Sequence, residues 1–164
     1  MLLPDPDRDL VLEARLAAPP AAVWRAWTEP DLLCRWFCPP PWRLRAARID
    51  PWPGGRFETE MEGPEGQIEE GPGCVLFAEP ARRLVICDAL GAGFRPTGRA
   101  FVTIALAFDP APEATPDAPA TRYRAHLLHA TPEDRARHAA MGFDEGWTIA
   151  TRQLEATARS LATP

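Results

Sequence analysis

The first part of the chain alternates apolar and polar residues with the period of a β-strand. Every second residue from Leu10 to Leu16 is apolar, and Asp9, Glu13 and Arg15 lie between them. A period of two is typical of a strand that buries one face. Two short helices are predicted next, because a proline pair suits the first turn of a helix and a later run of three prolines would end one.

The middle of the chain, from Trp42 to Leu128, contains only strand patterns and turn residues. Segments rich in glycine and proline separate the strands. The interval 109–120 holds four prolines and is interpreted as an exposed hairpin loop. The six predicted strands span residues 42–50, 55–62, 67–78, 83–90, 98–109 and 120–129.

The end of the chain predicts one long helix. Thr131 suits the N-cap and Pro132 the first helical position, and no further proline occurs up to Leu161. Thirty helical residues would extend about 45 Å. Gly142 and Gly146 lie beside its apolar stripe and suggest a close approach to the sheet or a bend. The stripe, at spacings of three and four, comprises Ala136, Ala140, Phe143, Trp147, Ala150, Leu154, Ala158 and Leu161.

This order of elements predicts an α+β fold. Consecutive antiparallel strands twist and coil, and a long amphipathic helix can cover their concave face. We therefore expect a single domain over residues 1–164, with a curved antiparallel sheet of about seven strands around a long C-terminal helix. Residues 1–7 are expected to be frayed.

Composition narrows the classes of function. The 164 residues carry a formal net charge of −5 and show no basic footprint, so no nucleic-acid partner is expected. No run approaches the roughly 20 apolar residues of a membrane span. The first residues lack the layout of a signal peptide, which predicts a cytoplasmic location. We predict no cofactor and no metal site, and we expect buried, reduced thiols at Cys34, Cys38, Cys74 and Cys87.

Five segments, in the same order along the chain, resemble motifs of the SRPBCC, or START-like, superfamily. The second of them, Leu33-Cys34-Arg35-Trp36-Phe37-Cys38-Pro39, is similar to that group's L-x-R-W-[WF]-x-P helix. Its Cys38 and the proline run depart from the pattern, and residues 88–98 and 109–120 match nothing specific. The five segments are 18–30, 33–39, 50–57, 80–85 and 141–147.

The resemblance implies a helix-grip fold with a cavity between the sheet and the last helix. In the wider group this cavity holds lipids, polyketides, hormones or other apolar molecules. The nearest branch is the AHSA type, the bacterial relatives of the activator of the heat-shock-protein-90 ATPase. An apolar small molecule is therefore the expected partner, and a homodimer is left open.

Nine residues are candidates for lining that cavity. Aromatic and apolar side chains are typical of ligand pockets, but each of these residues also has a purely structural interpretation as core or turn. Asp88 would anchor a polar group or begin a turn, and Phe94 would form a lid or be an exposed aromatic. The candidates are Trp36, Phe37, Phe57, Met61, Asp88, Phe94, Tyr123, Phe143 and Trp147.

No catalytic residue is predicted. A histidine with an acidic partner is the usual sign of a general base, and no such pair can be placed from the sequence. His126 and His129 have opposite parity and cannot share a face of one regular strand. Three functions therefore stay open: binding of an apolar or amphipathic small molecule in the cavity between the sheet and the C-terminal helix, a cavity enzyme of cyclase, hydrolase or isomerase type, and a co-chaperone-like role in protein interaction.

Overall fold

A computed structural model describes residues 3–162 of the protein. These residues form antiparallel strands and four α-helices. The helices are α1 (Pro20–Thr28), α2 (Pro30–Leu33), α3 (Pro132–Ala140) and α4 (Phe143–Ala162). The strands are β1 (Asp9–Leu16), β2 (Arg43–Ile49), β3 (Phe57–Glu62), β4 (Ile68–Gly71), β5 (Cys74–Glu79), β6 (Arg83–Cys87), β7 (Leu90–Gly91), β8 (Arg95–Pro96), β9 (Thr103–Pro110) and β10 (Thr121–Leu128).

The strands are arranged in the order β1-β10-β9-β6-β5, with a second group in the order β2-β3-β4 and a two-stranded ribbon of β7 and β8. Backbone hydrogen bonds from Phe57 N to Gly73 O and from Val75 N to Gly55 O connect the first two groups. The predicted α+β helix-grip architecture is confirmed, with antiparallel strands, two short helices after β1 and a C-terminal helix.

The predicted strand 67–78 is divided into β4 and β5, so this part of the prediction was wrong. Pro72 has no N–H to donate to a strand ladder, which interrupts the pairing. At the next residue the backbone of β3 comes close, since a Cβ on Gly73 would lie 2.5 Å from the carbonyl oxygen of Phe57. The backbone pairing is therefore interrupted between β4 and β5, although the sequence pattern of residues 67–78 is typical of one strand.

The predicted single C-terminal helix is also divided, into α3 and α4. Gly142 has a left-handed backbone with φ of +87°, a conformation that ends a helix and favours glycine. Thr131 caps α3 as expected, because its hydroxyl oxygen accepts a hydrogen bond from the Asp134 backbone N–H at 3.1 Å. The apolar stripe holds only for α4, since Ala136 and Ala140 are exposed.

The core lies between the inner face of the sheet and the helices α1 and α4. Alternate residues of the central strands point into it, for example Tyr123, Ala125 and Leu127 of β10. From α4, Gln153 donates hydrogen bonds to the carbonyl oxygens of Trp36 and Cys38, which attaches the helix to the turn after α2. The largest fully buried side chains include Trp27, Tyr123, Phe108, Leu16, Leu33, Leu84, Leu106, Leu127 and Leu154.

The N-terminal segment forms a hydrogen-bonded turn where the structure describes it. Asp9 N donates to Asp5 O at 2.8 Å, and Arg8 pairs with the Asp5 carboxylate. The expectation of a frayed start also covers residues 1 and 2, which lie outside the described residues. Among residues 3–162, no helix is both long and apolar enough to cross a membrane.

The four cysteines are free thiols. Cys74 and Cys87 are buried opposite each other on β5 and β6, while Cys34 and Cys38 are partly buried. Burial, and secondly the nearby Cys34, raises the pKa of Cys38 to about 11, so its thiol stays protonated at neutral pH. Within the described chain, no group of three or more His, Cys, Asp or Glu side chains is arranged to hold a metal ion.

Two histidines attach α3 to the rest of the protein. The Nδ1 atom of His138 lies 2.9 Å from Nε2 of His129, whose Nδ1 contacts the Arg8 carbonyl oxygen. The ring of Phe101 packs against both imidazoles. Burial, and secondly the neighbouring His129, lowers the pKa of His138 from 6.5 to about 4. The docked helix therefore keeps His138 neutral.

We expect Trp27→Ala to lower the free energy of unfolding by about 3–5 kcal/mol, because Trp27 is fully buried and its removal leaves a cavity. The exposed Trp52 is the matched control, and Trp52→Ala should cost less than about 1 kcal/mol. Urea unfolding of the two variants measures both values. Similar losses for the two tryptophans would contradict the packing described here.

The histidine pair predicts a loss of stability in mild acid. Below about pH 6.5 the unfolded chain takes up a proton at His138, whereas the folded protein resists it down to about pH 4. The contribution of His138 to the free energy of unfolding is therefore fully present at neutral pH, and it falls as the pH is lowered from about 6.5 to about 4. Urea unfolding at about pH 7 and about pH 5 should show a smaller decline for His138→Gln than for the unsubstituted protein. An equal decline would show that His138 does not titrate in this way.

Candidate functional site

An aromatic cluster brings together three of the predicted site residues. Trp27, Trp36, Phe37 and Phe57 form this cluster, in which the ring centroid of Trp27 lies 4.8 Å from Trp36, 6.1 Å from Phe37 and 6.3 Å from Phe57. The indole N–H of Trp36 donates to the carbonyl oxygen of Ala26 at 2.9 Å. Only Phe37 is partly exposed, whereas the other three rings are buried. The cluster is therefore mainly part of the core, and Phe37 is the member that lies at the border of the core.

Phe143 and Trp147 lie together at the beginning of α4, with ring centroids 5.6 Å apart. Phe143 is buried and its ring also contacts His138. Trp147 is only partly buried and packs against the border of the core. The loss on Trp147→Ala should therefore be smaller than that of a fully buried tryptophan.

Tyr123 is part of the deep core. Its ring stacks on Phe108 with a centroid distance of 6.1 Å, and the residue is 1% exposed. Burial raises the pKa of Tyr123, and the neighbouring Trp27 side chain only partly opposes the shift. Its hydroxyl is therefore protonated and shielded from solvent in this structure.

Asp88 and Phe94 belong to the loop between β6 and β9. The Asp88 carboxylate accepts hydrogen bonds from the backbone N–H groups of Phe101 and Val102, each at 3.1 Å. Strand β9 begins at Thr103, directly after these two residues and later than predicted. Phe94 is 48% exposed, and its ring lies over Gly54, where an added Cβ would come within 2.9 Å. Both residues organise turns.

Surface clefts of about 230 to 410 Å³ lie at four places on the described part of the chain, and the one of about 410 Å³ lies along β2, β3 and β4. We call it the β2–β4 cleft. Thr59, which lines the cleft, lies between Phe57 and Met61 on the same face of β3. The cleft therefore comes close to these two predicted site residues, but neither of them lines it. The cleft is lined by Ala46, Ala47, Arg48, Glu58, Thr59, Glu60, Glu70, Gly71, Pro72 and Arg99.

The charges of this cleft are arranged as cross-strand pairs. Glu58 lies 3.8 Å from Arg48, which is its partner on β2, and Glu60 lies 3.3 Å from Arg45, which lies at the register shift between Leu44 and Ala46. Arg99 reaches the cleft from the β6–β9 loop and donates to the Glu70 carbonyl oxygen at 3.0 Å. The glutamates Glu58, Glu60 and Glu62 alternate along β3. Their pairing with arginines depends on the β2–β3 register, which the sequence pattern does not give.

Two smaller clefts lie elsewhere on this side of the fold. One of about 230 Å³ lies between β1 and α4, in the position expected for a space between the sheet and the last helix. Leu12 and Ala14 form its apolar wall, and Thr151 and Glu155 face them from α4. The other is lined by Asp88, the only one of the nine candidates that lines any of the four clefts.

The structure also contains a histidine–acid pair that sequence reasoning missed. Nε2 of His126 on β10 lies 2.7 Å from Oδ2 of Asp9 on β1, and both side chains are less than a tenth exposed. His126 alternates with the inward-facing Ala125 and Leu127, so the pair lies on the outer face of the sheet. The strand pairing of β1 with β10 joins residues that are far apart in sequence, and no local motif signals it.

Comparison with known proteins gives a consistent family and fold. Residues 17–159 match the model of the family described as Activator of Hsp90 ATPase homolog 1-like protein. A crystal structure of a protein from Nitrosomonas europaea is 38% identical, with 96% of this chain and 98% of that chain covered and a TM-score of 0.88. No curated protein matches the sequence.

Two further solved structures extend the likeness. A protein from Rhodobacter sphaeroides is 26% identical over 98% of this chain and 97% of its own, with a TM-score of 0.78. An AHSA1-like protein from Aeromonas hydrophila is 21% identical over 90% and 92%, with a TM-score of 0.64, and shows the fold alone. The match over residues 17–159, together with the helix-grip architecture, shows that the chain belongs to the Activator of Hsp90 ATPase homolog 1-like family.

Proposed function

We propose that the protein binds an amphipathic small molecule in the β2–β4 cleft. The observation that carries this proposal is the combination of size and lining. A volume of about 410 Å³ lies within the range of roughly 300–1,000 Å³ that is typical of small-molecule sites. Apolar surface from Ala46, Ala47 and Pro72 lies beside several charged groups.

The charged groups of the cleft are available for exchange with a ligand. The Arg48–Glu58 pair is solvent-exposed, at 74% and 37% of the two side chains, and exposed ion pairs contribute only about 0–1 kcal/mol. A polar ligand group can therefore replace one partner at little cost. A ligand with an apolar body and a polar end is complementary to both the apolar and the charged residues that line the cleft.

The neighbourhood of the cleft supports an apolar contact as well. Ala47 is partly buried, packs against the core and also lines the cleft. The helix-grip fold is used in the wider superfamily for apolar ligands, as the sequence motifs implied. Here the proposed site lies on the strands β2 to β4, and none of its lining residues belongs to α4.

A role in protein interaction is the second candidate. Trp52 and Phe94 are both about half exposed, and their turns meet through a hydrogen bond from Gly93 N to Gly54 O. Exposed aromatic surface of this kind is found at protein interfaces. The buried pair of His126 and Asp9 lies outside the β2–β4 cleft and gives no support to catalysis there.

The binding proposal predicts a rise in the unfolding midpoint with at least one of three probes: dodecanoate, quercetin or cholesterol sulfate. A ligand present at 100 times its dissociation constant stabilises the folded state by about 2.7 kcal/mol. For a domain of this size the midpoint should rise by roughly 5–10 °C. Thermal unfolding followed by circular dichroism measures the shift.

A matched pair of variants assigns that shift to the cleft. Ala46 is exposed and lines the cleft, so Ala46→Trp should fill it and abolish the shift. Ala156 is exposed on α4 away from the cleft, and Ala156→Trp should keep the shift. No shift with any probe, or a shift that survives Ala46→Trp, would contradict the proposed site and favour the protein-interaction alternative.

A further inference from the structure

A second concave surface lies on the outer face of the sheet, across β5, β6, β9 and β10. We call it the outer groove, and its volume is about 380 Å³. Val85, Ala105 and Ala107 form its floor, because Val85 pairs with Ala105 across β6 and β9 and Ala107 is two residues further along the same face. Phe77, 49% exposed, adds an aromatic wall. The floor is therefore apolar.

The titratable residues that line the outer groove are all of basic type. Arg83, Arg124 and His126 line it, and no acidic residue is among the residues that line it. This is unusual in a chain with a formal net charge of −5. A groove with an apolar floor and basic sides is complementary to a molecule with an apolar body and an anionic group.

Acidic residues on the same face of the sheet, beside the groove, hold these basic side chains in place. Nη1 of Arg83 lies 2.8 Å from Asp109, and Nε of Arg124 lies 3.4 Å from Glu13. Each basic side chain is thus positioned before a ligand arrives, which reduces the entropy lost on binding.

The His126–Asp9 pair has the strongest positioning of the three. Oδ2 of Asp9 accepts from Nε2 of His126 and also from the backbone N–H of Asp5 at 2.9 Å. Taking such a pair out of water costs free energy, and replacement by apolar residues of similar size is often neutral or stabilising. The sheet does not require an ionisable pair on its outer face, so a binding role explains its presence better than packing does.

We propose that the outer groove binds a small amphipathic carboxylate, with the carboxylate group at Arg124 and His126 and the apolar body on Val85, Ala105 and Ala107. This site is separate from the β2–β4 cleft and shares no lining residue with it. The proposal is therefore independent of the function proposed above.

Titration of ¹⁵N-labelled protein with octanoate tests the proposal, and 1-octanol is the uncharged control probe. Octanoate should shift the amide signals of Val85, Ala105, Ala107 and His126, and 1-octanol should bind at least about tenfold more weakly because it lacks the charge. Equal binding of the two probes, or octanoate shifts confined to Ala46, Ala47 and Thr59, would overturn the proposal.

Two arginines of the same strand provide a matched pair of variants. Arg124 lines the outer groove, whereas Arg122, two residues earlier on the same face of β10, does not. Arg124→Gln should weaken octanoate binding at least about tenfold, and Arg122→Gln should leave it within about twofold. Ala105→Trp, which fills the groove and keeps its charges, should also abolish binding. Binding that survives both Arg124→Gln and Ala105→Trp would show that the groove is not the site.

Discussion

The packing of Trp27 is the interaction on which the remaining structure depends. Its indole is fully buried where α1 meets the turn after α2 and the beginning of β3, through ring contacts with Trp36, Phe37 and Phe57. Trp36 then fixes its own position by donating to Ala26 O, and Gln153 of α4 binds the carbonyl oxygen of Trp36. One aromatic cluster thus connects both short helices, the sheet and the final helix.

This packing decides where ligand sites can occur. The aromatic cluster and the buried part of α4 fill the inner face of the sheet near α1, and core of this density leaves little room for a ligand. Concave surfaces that hold more than about 300 Å³ and combine apolar with charged lining lie instead on β2–β4, on the outer face, and around Asp88 and Phe101. The two proposed sites differ in their lining, since the β2–β4 cleft has both acidic and basic residues and the outer groove has basic residues only.

The sequence predicted the architecture well because the signals of that architecture are local. The alternation in β1, the cap at Thr131 and the stripe from Phe143 to Ala158 each reflect the period of one element. The errors occurred where backbone geometry overrides hydrophobicity, at Pro72-Gly73 and at the left-handed Gly142. The pairing of His126 with Asp9 and of β3 glutamates with β2 arginines depends on strand register, which a single sequence does not specify.

The most direct test of the account is the position of a bound ligand in the β2–β4 cleft. Intermolecular nuclear Overhauser effects between the protein and whichever of dodecanoate, quercetin and cholesterol sulfate stabilises it most would report that position. The account predicts contacts from the apolar part of the ligand to the methyl group of Ala46 and to the ring of Pro72. Contacts only to residues of α4 or of the outer groove would contradict it.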